Sequence, residues 1–307
     1  MTNTGDASKK ARRDHAREAA REMREKEQKR RQRRKWLVQG IVGVSILLVA
    51  AIVTVAIFTV NANKPSGVGP LNMASNGIVL EASGDGTNVK AVSTAAVKKD
   101  GDPAETDQSS LSGNTHIVMY VDYQCPVCKT FEETNGANIK AFVASGQATV
   151  EIHPISMLDQ ASLGNKYSTR ATNAMACVAN YAPDKYLDVN NAFFANQPAE
   201  QTNGLSDDEI IANVKTGGVD DEKVTACIKN KTFTDWVAGS SRLVTSGVFP
   251  DVTADGWKGT PTVIVNHQTY TGAIDDATAF AAFLDKVKTD ATPAPTPSAT
   301  GTPVPSN

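Results

Sequence analysis

Ile117-Val118-Met119-Tyr120-Val121 runs through Asp122-Tyr123-Gln124 into Cys125-Pro126-Val127-Cys128, where a helix-like segment opens. An apolar run thus delivers two cysteines, separated by two residues, to a helix N-terminus. That spacing puts both sulfurs within disulfide reach, and the helix dipole with its free backbone N–H groups stabilises the first sulfur as a thiolate, the form that attacks disulfides. Far downstream, Gly259-Thr260-Pro261-Thr262 leads into a second apolar run, Val263-Ile264-Val265. A cis proline at Pro261 would present neighbouring backbone groups to an extended peptide and keep the cysteine pair free of metal. The order strand, cysteine pair, helix, and later Thr-Pro-strand predicts a thioredoxin-like redox site in two pieces.

A Cys-x-x-Cys is also half of a zinc site, which needs two more Cys or His ligands. Here the second half is missing. Cys177 and Cys227 are isolated residues about 50 positions apart, and His15, His116, His153 and His267 are scattered without ligand spacing. No metal or other bound cofactor is therefore expected. Gly-x-Ser-x-Gly elbows, phosphate loops and Gly-x-Gly-x-x-Gly fingerprints are absent, so hydrolase and nucleotide readings lack support.

Outward from this centre, charge divides the chain. Residues 2–35 hold 14 Lys or Arg against 6 Asp or Glu, about +8, while residues 61–307 carry about −10; the formal net charge of −2 hides both. Between them residues 36–60 contain no charge. At about 1.5 Å per residue a helix of that length reaches roughly 37 Å, enough to cross a ~30 Å hydrocarbon core with some tilt. A single transmembrane helix is expected there, a signal-anchor with the basic tail 1–35 kept in the cytoplasm and everything after Asn61 exported. A cleaved signal peptide has a shorter apolar region and a shorter basic start, although Val60-Asn61-Ala62 loosely resembles a cleavage site. The position of the basic tail beside a membrane span explains it better than nucleic-acid binding.

Residues 61–74 read as a linker, and residues 291–307 repeat Thr, Pro, Ala and Ser, a composition that buries no core and predicts a disordered tail. About 215 residues, 75–290, remain for one globular domain. Within it Ile78-Val79-Leu80 and residues 89–97 read as strands around an Asp85-Gly86 turn, residues 116–123 and 150–153 as further strands, and 261–266 and 269–271 as the last ones. Between them a helical insertion is expected over about 156–246, with Ser206-Asp207-Asp208-Glu209 as a capping box. Phe280, Phe283, Leu284 and Val287 fall at i, i+3, i+4 and i+7 of a final helix. The expectation is an α/β thioredoxin-like fold split by a helical domain.

Five separated motifs carry a family resemblance: Asp122-Tyr123-Gln124-Cys125-Pro126-Val127-Cys128-Lys129, His153-Pro154-Ile155-Ser156, Tyr167-Ser168-Thr169-Arg170-Ala171, Phe194-Ala195-Asn196-Gln197-Pro198 and Gly259-Thr260-Pro261-Thr262. Over residues 77–288 the chain resembles the membrane-anchored DsbA-like thiol-disulfide oxidoreductases of actinobacteria. The resemblance implies disulfide formation in exported cysteine-containing client proteins. It makes Cys125 the exposed nucleophile, Cys128 the buried resolving thiol, Pro261 the cis proline, and Thr260 the residue beside the substrate. It also implies a quinone-linked membrane oxidase as the partner that recharges the site. Pro126 suits an early helical position because its missing N–H leaves no bond unmade. Cys177 and Cys227 fall in the helical insertion on the exported side, which favours a structural disulfide over two free thiols.

Two positions depart from the family pattern. Val127 stands where strong oxidases carry a histidine, and Met119 stands six residues before Cys125 where the family places a buried acid. Asp122 is an imperfect substitute, offset by three and on the opposite strand face by alternation. His153, preceding Pro154, reads as a structural contact rather than a base. Two rival functions stand beside oxidation: a disulfide reductase or isomerase fed electrons through the membrane, and a non-catalytic surface module that binds peptides or cell-wall material.

Overall fold

The computed structural model describes residues 67–247 and 257–290. The expected membrane span at 36–60, the basic tail and the C-terminal tail 291–307 lie outside the described residues. Among the described residues no helix is long and apolar enough to cross a membrane.

A six-stranded sheet is the frame. Its strands are β1 (Ile78–Ala82), β2 (Val89–Ala91), β3 (Thr115–Val121), β4 (Ala148–Pro154), β5 (Thr262–Val265) and β6 (Gln268–Thr269), in the spatial order β2-β1-β4-β3-β5-β6. β3 lies parallel to β4 and antiparallel to β5, and all seven of its residues are buried. A strand paired on both edges and covered on both faces has no place for an exposed polar side chain, which is why the sequence there reads as a continuous apolar run. Ile117, Met119 and Val121 join the main core with Phe131, Ile139 and Phe280, whereas Val118 and Tyr120 join a smaller cluster with Ile155, Leu243, Val244 and Ile264.

Helix α1 (Pro126–Ala144) connects β3 to β4, and α7 (Ala277–Asp290) packs beside it through Phe280 against Phe131, ring centroids 5.2 Å apart. Between β4 and β5 come α2 (Tyr167–Tyr181), α3 (Tyr186–Ala195), α4 (Asp207–Thr216), α5 (Glu222–Lys229) and α6 (Thr234–Thr245). Ser206 opens α4 with a full capping box: its hydroxyl accepts the Glu209 N–H at 3.3 Å and the Glu209 carboxylate accepts the Ser206 N–H at 2.7 Å. A disulfide joins Cys177 of α2 to Cys227 of α5, closing a sequence separation of 50. In the chain-entropy picture such a loop stabilises the fold by roughly 4 kcal/mol before strain.

One expected strand is much shorter than its apolar run. Only Val89–Ala91 pairs as β2, although the reading extended to residue 97. From Thr94 onward the backbone turns to the preceding segment instead: the Asn72 N–H donates to Thr94 O at 3.0 Å and the Gly69 N–H to Val97 O at 2.8 Å. Those irregular bonds satisfy the backbone without a ladder, so Val97 is buried outside any sheet.

Candidate functional site

The site forms where β3 ends and α1 begins. Three residues separate Val121 from Cys125, and Asp122 controls them. Its carboxylate accepts hydrogen bonds from the Gln124 N–H at 2.9 Å, the Met157 N–H at 2.7 Å, the Leu158 N–H at 3.0 Å and the Ser168 hydroxyl at 2.6 Å. Its backbone oxygen accepts the Cys125 N–H at 3.0 Å. Asp122 is fully buried; burial raises its pKa, opposed by those four bonds, with Ser168 foremost. The alternation argument against Asp122 fails because the residue lies beyond the strand, in a turn where period-two geometry no longer applies. Its role is that of a bracket, holding the turn before the cysteines to α2 and to the segment after β4.

Cys125 is the N-cap of α1 with an extended backbone (φ −81°, ψ 116°), Pro126 is the first helical residue, and Cys128 lies in the first turn. Both sulfurs are free thiols. The Cys125 Sγ donates to Thr260 O at 3.2 Å, across 135 residues of sequence. That contact leaves Cys125 only 5 % exposed, less open than the exposed nucleophile expected from sequence, though still more open than Cys128 at 1 %. The Thr260–Pro261 peptide bond is cis, and Gly259 before it holds φ +109°, a conformation that favours glycine. Val127 points outward, 45 % exposed.

The two thiols have opposite acidities. A hydrogen bond from the Cys128 thiol lowers the Cys125 pKa to about 6; burial works against this, and a hydrogen bond from the Thr260 side chain and the N–H groups of Cys128 and Val127 reinforce it. Burial pushes the Cys128 thiol well above its usual value, and its hydrogen bond and charge interaction with Cys125 push the same way. The surroundings thus favour the thiolate on Cys125 and the protonated thiol on Cys128.

An acid that the apolar spacing hid lies along the same helix. Glu132 sits one turn beyond Cys128 on the buried stripe Cys128, Phe131, Glu132, Asn135, Gly136, Ile139. Its carboxylate accepts the Asn190 side-chain N–H at 3.1 Å, and Asn190 Oδ1 accepts the Tyr123 hydroxyl at 3.0 Å. A Cβ at Gly136 would come within 2.7 Å of the Glu132 carboxylate, so the glycine leaves room for it. Burial pushes the Glu132 pKa up to about 7. A glutamate at i+4 from the second cysteine of the pair, followed four residues later by glycine, is the signal that could have found it.

His153, Ser168 and Arg170 make contacts away from the two sulfurs. His153 and His116 are scattered in sequence but converge on one buried carboxylate: His153 Nε2 lies 3.0 Å from Glu151 Oε1, and His116 Nε2 lies 3.0 Å from Glu151 Oε2. Burial alone would raise the Glu151 pKa, but the His153 charge and the hydrogen bonds from His116, His153 and Ser75 hold it well below the usual carboxylate range. His153 also stacks on Tyr120, centroids 4.5 Å apart, on the sheet face away from Met119. Among the described residues no group of three or more His, Cys, Asp or Glu could hold a metal ion. Ser168 serves Asp122, and Arg170 pairs with Asp207 at 2.8 Å, tying α2 to α4.

A family model described as Thioredoxin matches residues 110–286. Among curated proteins, the serine/threonine-protein kinase PknE of Mycobacterium tuberculosis is 32% identical over 120 residues, which is 38% of this chain and 21% of the kinase. The chain therefore spans about a fifth of the length of the curated relatives it matches. Among solved structures, reduced DsbA from Mycobacterium tuberculosis superposes with a TM-score of 0.50 at 24% identity, covering 69% of this chain and 92% of that one. DsbG from the same organism gives 0.49 at 26% identity over 59% of this chain and 84% of its own. BdbD from Bacillus subtilis gives 0.49 at 19% over 74% and 98%. The likeness to the first of these is a likeness of fold.

Proposed function

Because the chain belongs to the thioredoxin family, we propose that it is a thiol-disulfide oxidoreductase working through Cys125 and Cys128, and that it runs in the oxidising direction on exported proteins. The observation that carries this reading is the split acidity of the pair, Cys125 near 6 and Cys128 well above its usual value. A client thiolate attacks the Cys125 sulfur of the oxidised pair, and the Cys125–Cys128 bond breaks. Cys128 leaves as a thiolate and takes up a proton, as its raised pKa requires. A second client thiolate then attacks the client sulfur of the mixed disulfide, and Cys125 departs as a stable thiolate. The client has lost two electrons and the enzyme has gained them. A low-pKa leaving group departs faster, and a stabilised reduced form makes the pair a stronger oxidant.

Thr260 O, 3.2 Å from the nucleophile, lies where an extended client backbone would run. Exposed Val127 leaves the surface beside the sulfur apolar and uncharged, suited to an unfolded segment. Turnover needs an external electron acceptor, and a quinone-linked membrane oxidase is the class proposed. The pH profile of Cys125 alkylation after mild reduction tests the assignment: its midpoint should lie near 6, set by the thiolate fraction. A midpoint near 9, that of an ordinary thiol, would favour the non-catalytic binding module. A Cys125–Cys128 potential close to that of thioredoxin, about −270 mV, would favour the reductase.

The same proposal places the domain outside the cytoplasm, anchored by residues 36–60. The uncharged stretch behind a basic flank supports it, as does a structural disulfide, which persists in oxidising compartments. Protease added to intact spheroplasts should digest the domain and spare residues 1–35; a protected domain would overturn the placement.

A further inference from the structure

Cys125 is gripped from a second side, by a residue to which neither the sequence nor the proposed chemistry gave a role. Gln197 follows the C-terminus of α3, and its side-chain amide donates to the Cys125 backbone oxygen at 2.9 Å, across 72 residues of sequence. That oxygen already accepts the Lys129 N–H at 3.1 Å as the first bond of the helix, so Gln197 occupies its second lone pair. Two further side chains fasten the same junction. Gln124 reaches back to the carbonyls of Pro198 and Ala199 at 3.5 and 3.4 Å. The Lys129 ammonium donates to Phe194 O at 2.8 Å and Ala195 O at 3.2 Å, carbonyls at the C-terminal end of α3, the first of which also accepts the Gln197 N–H at 3.3 Å. The helical insertion therefore meets the redox helix through side chains on backbone atoms, with the nucleophile's own carbonyl among them.

We propose that Gln197 is a positioning residue of the redox site: its amide fixes the Cys125 carbonyl and turns a positive N–H dipole toward the residue whose sulfur becomes negative. The inference rests on the reading of Cys125 as the nucleophile. A carbonyl oxygen carries partial negative charge and disfavours a thiolate on the same residue; a donor bonded to that oxygen offsets the effect. The offset matters when the sulfur is charged and little when it is in a disulfide, so the bond stabilises the reduced, ionised state selectively. Segment 194–199 thereby ties the seating of the insertion to the reactivity of the cysteine.

Gln197→Leu removes the donor, and Gln197→Glu, nearly isosteric, sets an oxygen against the carbonyl and adds negative charge. The alkylation midpoint of Cys125 should rise in both, by about threefold in proton affinity for the leucine variant and about tenfold for the glutamate, the range of one hydrogen bond. A tenfold loss lowers the Cys125–Cys128 potential by about 30 mV. A merely structural contact would shift the urea midpoint and leave the alkylation profile in place. If both folded variants keep the wild-type alkylation midpoint and potential, the Gln197 assignment is wrong while the site reading stands. A wild-type midpoint near 9 would instead remove the site reading and this inference with it.

Discussion

Cys128→Ser is expected to accumulate mixed disulfides with cysteine-containing exported proteins, seen as reducible high-mass bands, and Cys125→Ser is expected to abolish them. In the reverse direction, the Cys125 thiolate attacks a client disulfide and one client sulfur leaves as a thiolate; with no Cys128 sulfur to displace the client, the mixed disulfide is lost only by return of the client's own thiol, and it accumulates. In the reverse variant the remaining sulfur is Cys128, 1 % exposed and holding its proton well above neutral pH, so it neither meets a client nor ionises. The contrast should be close to all or none. Bands that persist in folded Cys125→Ser, or that fail to form in folded and exported Cys128→Ser, would show that the nucleophile and the resolving thiol have been misassigned.

The second large effect concerns Glu132 and stability. Its folded pKa, about 7, lies above the ordinary value of 4.5 because burial disfavours the charge. A raised carboxyl pKa contributes stability that is fully present below the unfolded value and lost as pH rises through the folded one. Between pH 4.5 and 7 the unfolded chain releases this proton more readily than the native protein. Ionisation of this one group therefore costs the fold about 3 kcal/mol by neutral pH. Glu132→Gln keeps the shape, can still bond Asn190, and cannot ionise. The difference in unfolding free energy between variant and wild type, followed by urea titration, should therefore shift by about 3 kcal/mol in the variant's favour between pH 4.5 and 8. Comparing the two proteins cancels the titration of Asp122 and Glu151. Parallel curves would mean that Glu132 is not held in a dry site in solution.

Much of this protein is legible along the chain because its elements are local. The apolar run before Cys125, Pro126 at the first helical position, the capping box at Ser206 and Glu209, and the repeat of Phe280, Leu284 and Val287 each follow from short-range sterics, hydrogen bonding or periodicity, and each lies in the element expected of it. The strand after Val89 is the exception that shows the limit. From Thr94 onward the backbone bonds to residues 69 and 72 instead of a neighbouring strand, and of the apolar residues there only Val97 is buried; an apolar run does not state which partner its backbone takes.

Sequence alone determined that two cysteines sit at the mouth of a helix after a central strand, that a Thr-Pro-strand follows far downstream, and that two further cysteines lie apart from that pair. Those facts are carried by residues adjacent in the chain, where period and spacing fix geometry. Only the tertiary structure decided which distant groups meet the sulfurs: Thr260 on Cys125 Sγ, Gln197 on its carbonyl, Ser168 and the 157–158 backbone on Asp122, and Asn190 on Glu132. Acidity depends on desolvation and on hydrogen bonds from such groups, and these exist once the helical insertion has closed over the end of the sheet. The pair and the bond between its two sulfurs can therefore be read from spacing, whereas the burial that raises Cys128 and the contribution of Thr260 to Cys125 arise from the packing around them.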